Sequence, residues 1–143
     1  AFGQIAHDAA VNAYAPLALS RAFASQRVTG RIVNVLDARI RTYDWSHVAY
    51  ILSKHMLAVL TRMTALDFAP DVTVNAVAPG LILPPPGEDE GYLKRCAESL
   101  PLKRHGDTED VADAVVFLAR SNFITGQVIY VDGGHHLRSG CAD

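Results

Sequence analysis

Two side chains near the middle of the chain have the types and spacing to handle a proton together. In VAYILSKHML (Val48–Leu57), Tyr50 and Lys54 stand four residues apart inside a long apolar stretch with few breakers. On a helix that spacing puts both on one face. A free tyrosine ionises at about pH 10 and is a poor acid or base at neutral pH. A neighbouring ammonium favours the phenolate, so the pair has the makings of a tuned general acid. The plainer reading is two amphipathic side chains with their tips in water. Asp37 shifts the balance. It ends a short strand thirteen residues before Tyr50, where a carboxyl group would face the same cleft as the start of the next helix. A desolvated carboxyl favours its protonated form, and in that form it donates a proton or a hydrogen bond. Against this stands a solvated aspartate that merely opens a loop.

The elements that must position these residues alternate. Val11–Ser25 reads as a helix, with Pro16 near its first turn or bending it. Arg31–Leu36 is short and β-branched, the signature of a strand, and DARIRTYDW after it is a polar, irregular loop. Ser46–Phe68 has a long helical pattern that stops before Pro70. Within it Val48, Leu52, Met56, Val59, Met63 and Leu66 form one stripe, and small and apolar residues elsewhere suggest that two faces are covered. Val72–Ala78 is a second strand, closed by Pro79-Gly80. LILPPPGEDEGY is a Pro-rich acidic loop and the best candidate for a mobile segment. A short helix is expected within Glu88–Leu100, then a second helix with Asp107 as N-cap and Asp110 three residues on. Gln127–Gly134 is a third strand ending in an Asp-Gly-Gly turn. Such alternation implies right-handed crossovers and a parallel sheet flanked by helices. Ligands of such sheets bind at the carboxyl ends of the strands, where Asp37, Pro79-Gly80 and Asp132-Gly133 all fall.

Composition narrows the function classes. The chain has 143 residues, half of them hydrophobic and one fifth charged, which suits a globular domain with a core. Its formal net charge is -2 and its basic residues are scattered, so a nucleic-acid footprint is not expected. No apolar run approaches the length of a membrane span, and no signal peptide is visible. Cys96 and Cys141 lack metal spacing and read as free thiols of a reducing, cytoplasmic compartment. His135-His136 is a pair in a terminal turn, and no metal site is expected there. Asp132 reads as a turn residue.

YILSK resembles the Tyr-x-x-x-Lys motif of the short-chain dehydrogenases/reductases. VNAYAP, GRIVNV, VTVNAVAPG, PLKRHGDTEDVADAVVFLA and FITGQVIYVDGG follow that family's order and spacing over nearly the whole chain. The resemblance implies an α/β fold, a Rossmann-type doubly wound parallel sheet. It implies Tyr50 as catalytic acid/base, and Lys54 as the residue that holds the nicotinamide ribose and depresses the tyrosine's pKa. Asn12 resembles the family's helix asparagine, which helps to order a proton-relay water. Pro79, Gly80 and Ile82 resemble the loop whose backbone meets the nicotinamide carboxamide, with Leu81 beside the substrate. The last strand is often used in subunit contacts, so a homo-oligomer, dimer or tetramer, is implied. Most of the family has serine where this chain has Asp37. IVNVLDA, together with APGLILPPP and FITGQVIYVDGGHHLR, resembles the pteridine reductase branch, which includes bacterial dihydromonapterin reductases. That implies NADPH as hydride source and a reduced pterin as substrate, oriented and protonated with help from Asp37. The alternatives are a reductase of ordinary carbonyls, or a non-catalytic half-domain that associates through its sheet edge.

One departure is large. The family begins with a strand, a Gly-rich turn and a helix that cradle the dinucleotide phosphates. The ten glycines here are scattered, and none forms such a segment. Residues 1–143 therefore read as a single partial domain, the C-terminal half of a doubly wound sheet, whose first strand has an unpaired edge. A piece of a longer protein is the reading favoured. A second chain supplying the other half and a self-associating remnant without catalysis stay open.

Overall fold

The computed structural model describes residues 2–138. Three parallel strands, β1 (Gly30–Val35), β2 (Val72–Pro79) and β3 (Val128–Val131), form one sheet in the order β1-β2-β3. Gly30 pairs with Val72 and Val35 with Val77, while Ala76 pairs with Val128 and Pro79 with Val131. β2, between two neighbours, is buried along most of its length, as its near-continuous apolar sequence requires. β1 is only half-buried and, among the described residues, pairs on one side alone, which agrees with the open edge expected from the sequence.

The helices are α1 (Phe2–Ala9), α2 (Ala15–Ala24), α3 (Val48–Asp67), α4 (Glu90–Ala97) and α5 (Thr108–Arg120). α1 and α2 are joined by one wide π turn, Ala10–Tyr14, so the helix starts earlier than its apolar spacing indicates. Pro16 has no N–H to donate to the Asn12 carbonyl four residues back, and the wide turn absorbs that break without ending the helix. α5 begins with the expected capping box. The Asp107 side chain accepts from the Asp110 amide at 2.9 Å, and Asp110 returns the bond to the Asp107 amide at 3.1 Å.

Two apolar clusters lie between α3 and the sheet. Leu36, Ile40, Leu57, Ala58, Ala76 and Ala78 form one, nearer the carboxyl ends of the strands. Ala65, Val72 and Val74, with Phe23, Ile32 and Phe68, form the other. The period of two along β2 turns Asn75 and Val77 the other way, and α5 crosses all three strands there. Asn75 is buried but satisfied. It donates to the Ile124 carbonyl at 2.8 Å and accepts from the Gln127 amide at 3.0 Å, tying the approach of β3 to β2.

Two faces of α3 are covered, one by β2 and one by α1 with the π turn, but the stripe of large residues is not what they cover. Most of the helix's buried residues are small, Ala49, Ser53, Ala58, Thr61 and Ala65 among them, with Ile51 and Leu57 the large exceptions. Thr61 and Thr64 can be buried because their hydroxyls donate to the carbonyls of Leu57 and Leu60. The stripe of large residues points outward, and Leu52, Val59, Met63 and Leu66 are exposed. No helix of the described residues is long and apolar enough to cross a membrane.

Candidate active site

The site begins where β1 runs out. Leu36 still donates to the Val77 carbonyl at 2.8 Å, and Asp37 then turns the chain. The Asp37 side chain caps a 3₁₀ turn, Ala38–Arg41, by accepting from the Arg39 amide at 2.7 Å. Buried Ala38 and Ile40 anchor that turn in the core. Tyr50 comes from the first turn of α3, and its hydroxyl donates to Asp37 Oδ2 at 3.0 Å. Lys54 follows one turn later, with Nζ donating to the Val35 carbonyl at 2.9 Å and lying 5.7 Å from the Tyr50 ring centre. The three side chains converge at the carboxyl end of β1.

Asn12, in the π turn, does not reach the Tyr50 hydroxyl. Its Nδ2 donates to Ser53 Oγ at 3.0 Å, and Ser53 Oγ donates to the Tyr50 carbonyl at 2.7 Å. Asn12 thus braces the backbone of the first turn of α3. Pro79 ends β2, and the Gly80 amide continues the ladder to the Val131 carbonyl at 2.9 Å. A Cβ on Gly80 would lie 2.6 Å from the Asp132 Cβ and 2.8 Å from its Cα, so only glycine lets these two strand ends meet. The Leu81 carbonyl accepts from the Gly106 amide at 3.0 Å, and Ile82 packs against Gly106. Asp37, Arg39, Gly80, Leu81, Tyr92 and Cys96 help to line a cavity of about 510 Å³.

The electrostatics of Tyr50 differ from the expectation. Burial, and then the charge and hydrogen bond of Asp37, push its hydroxyl up to about 12, while Arg39 pulls the other way. The hydroxyl meets a carboxylate, while the Lys54 ammonium donates to the Val35 carbonyl, so the phenol is raised rather than lowered. Burial lowers Lys54 itself, against a smaller opposing pull from Asp37. Asp37 was expected to be a donor as well, yet it is the acceptor in each of its side-chain bonds here.

Arg39 is the residue that sequence reasoning missed. Its Nε lies 3.3 and 3.4 Å from the two Asp37 oxygens and its Nη2 3.2 Å from Oδ2. Its Cζ sits 4.9 Å from the Tyr50 ring centre. The available signal was an arginine two residues after an aspartate at a strand end, the spacing at which an aspartate caps its own turn.

Asp132 is more than a turn residue. It is buried and accepts from the amides of Gly134 and His136 and from His136 Nδ1. Gly133 and Gly134 have positive φ, as the turn requires. The His136 ring stacks on Tyr130 with centres 4.1 Å apart. Among the described residues no group of three or more His, Cys, Asp or Glu could hold a metal. Cys96 is a free thiol, and Cys141 lies outside the described residues.

A family model described as enoyl-(acyl carrier protein) reductase matches residues 4–136. The chain is 41% identical over 112 residues to a granaticin polyketide synthase putative ketoacyl reductase of Streptomyces violaceoruber, covering 76% of this chain and 45% of that protein. It is 35% identical over 107 residues to the dihydromonapterin reductase of Klebsiella pneumoniae, with 75% and 45% covered. The chain thus spans about half the length of the curated relatives it matches. Among solved structures, FolM alternative dihydrofolate reductase 1 of Brucella suis, in complex with NADP, superposes with a TM-score of 0.89 at 30% identity. That match covers all of this chain and 59% of the other. The sheet with its flanking helices is therefore part of a Rossmann-type fold, and the chain belongs to the short-chain dehydrogenase/reductase family.

Proposed function

We propose that this chain carries the proton-delivering half of an NADPH-dependent short-chain reductase acting on a reduced pterin of dihydropteridine or dihydrofolate type. The observation that carries the reading is the 3.0 Å hydrogen bond from Tyr50 to Asp37, which in turn lines a cavity large enough for a bicyclic ring. A pterin presents amide and amine N–H groups beside ring nitrogens. A carboxylate suits the former and a phenol hydroxyl the latter. The names of the relatives, dihydromonapterin reductase and alternative dihydrofolate reductase, support the same substrate class.

The residues present fit the nicotinamide end of the cofactor. Lys54 carries three donors on a half-buried ammonium, with a single backbone carbonyl as partner in this structure, which suits a ribose diol. Pro79, Gly80 and Ile82 present backbone at the adjoining strand end. When bound, NADPH supplies the hydride. Tyr50 supplies the proton, Asp37 orients the ring, and Asn12, acting through Ser53, holds the first turn of α3 in place. Leu81, which lines the cavity, would meet the substrate. Residues 1–143 contain no Gly-rich phosphate cradle, so the 143-residue chain alone is expected to bind NADPH weakly or not at all.

We further propose a homo-oligomer, dimer or tetramer, because α3 exposes Leu52, Val59, Met63 and Leu66 together, and a cytoplasmic location, which the free Cys96 thiol suits. A second reading is a carbonyl reductase, favoured by the 41% identity to a ketoacyl reductase. The two separate in one assay of the full-length protein with NADPH. The pterin reading expects a dihydropterin to be reduced with a higher kcat/KM than simple ketones, and Asp37→Ala to lose the pterin reaction selectively. Turnover of ketones with no reaction of any dihydropterin overturns it.

A further inference from the structure

When Tyr50 gives up its proton, the O–H bond breaks, its electron pair stays on the phenolate oxygen, and the proton forms a new bond on the substrate. That oxygen lies 3.0 Å from Asp37 Oδ2. Two negative charges so close oppose one another, and a carboxylate beside a phenol resists the very step the phenol must perform. Some cation has to offset the pair. Lys54 touches neither oxygen. Its Nζ is bonded to the Val35 carbonyl and lies 5.7 Å from the ring centre. Arg39 touches both partners. Nη2 shares Oδ2 with the Tyr50 hydroxyl, Nε spans both carboxylate oxygens, and the guanidinium lies over the Tyr50 ring.

We propose that Arg39 is a positioning residue whose guanidinium clamps the Asp37 carboxylate and covers the Tyr50 ring, so that the hydroxyl can release its proton beside a carboxylate. This rests on Tyr50 being the proton donor of the reading above. The fold holds the clamp in place. Asp37 binds the Arg39 backbone amide as well as its side chain, and buried Ala38 and Ile40 fix the turn on either side. The planar fork matters. A lysine carries the same charge but cannot meet both oxygens and lie flat over a ring at once. Arg39 also lines the cavity beside Leu81, Leu83 and Tyr92, so its charge is felt where the substrate binds.

The titratable and charged groups around the hydroxyl are few. Asp37 and Arg39 come from the loop after β1 and Lys54 from its own helix, while Tyr92, Cys96 and His135 line the cavity beyond Asp37. A tyrosine with several ring fluorines, which ionises well below the natural residue, placed at position 50 of the full chain and read by fluorine NMR, reports ionisation at this one site within the pH range where the chain stays folded. Arg39→Met is expected to raise its midpoint by roughly one to two pH units. Arg39→Lys, which keeps the charge but loses the fork, raises it by less. Asp37→Asn lowers it. An unchanged or lower midpoint in Arg39→Met overturns the proposal; should that variant not fold, an unchanged midpoint in Arg39→Lys does so. The readout needs neither NADPH nor a pterin. A failed turnover assay therefore leaves this result standing, and a failed shift leaves the reductase reading standing.

Discussion

On its buried side α3 carries Ala49, Ser53, Ala58, Thr61 and Ala65 around Leu57; on its open side stand Leu52, Val59, Met63 and Leu66. The first side is built mostly from small residues, which let the helix lie close on β2 and on the π turn. That closeness brings Tyr50 to the end of β1, where Asp37 and Arg39 wait. The second side is built from large apolar residues left open. With α1 and α2 it lines two further cavities of about 440 and 540 Å³, through Ile5, Tyr14, Leu17 and Leu60 among others. One helix thus carries the candidate site on one side and an open apolar face on the other. The difference between the sides is side-chain size rather than polarity, since both are largely uncharged.

Neighbouring residues give the sharpest way to break this comparison. Ala58 is 6% exposed and Val59 54%. Ala58→Leu forces a larger side chain between helix and sheet, and is expected to cost about 1–3 kcal/mol in denaturant unfolding. Val59→Leu one residue on is expected to stay within about 0.5 kcal/mol. Equal costs at the two positions would mean that the sides do not differ as described.

A second prediction concerns pH. Tyr50 is pushed up to about 12 by burial and by Asp37, whereas the unfolded chain ionises at its ordinary value of 10.0. The folded state therefore keeps a proton that the unfolded state loses. The stability this contributes is fully present below pH 10 and is lost as pH rises toward 12. Tyr50→Phe removes the group, so its Tm should fall less steeply than that of the parent over that window. Parallel curves would show that the hydroxyl does not meet Asp37 in the folded state.

Much of this was legible beforehand, because it depends on local chemistry. The Asp107 and Asp110 pair marks the start of α5 by spacing alone, and β-branched runs mark β1 and β2. Tyr50 and Lys54 share a face because any helix puts positions four apart together. What the sequence did not reveal depends on which neighbour arrives. The stripe on α3 has the right period for burial, but period says nothing about what covers it. The acidity of Tyr50 was read from the residue nearest in sequence, Lys54, whereas the hydroxyl meets Asp37 from another element. Arg39 looked like one more charge in a polar loop until the cap at Asp37 turned it back over the ring.

The central claim is that the Tyr50 hydroxyl, held by Asp37, is the proton source of a reductase. Single-turnover oxidation of NADPH by the full-length protein, mixed with a dihydropterin, tests it most directly when parent and Tyr50→Phe are compared. The account predicts a rate lower by about 10²–10⁴-fold in the variant, with NADPH affinity within about threefold and the fold unchanged. A variant that oxidises NADPH at nearly the parental rate would contradict it.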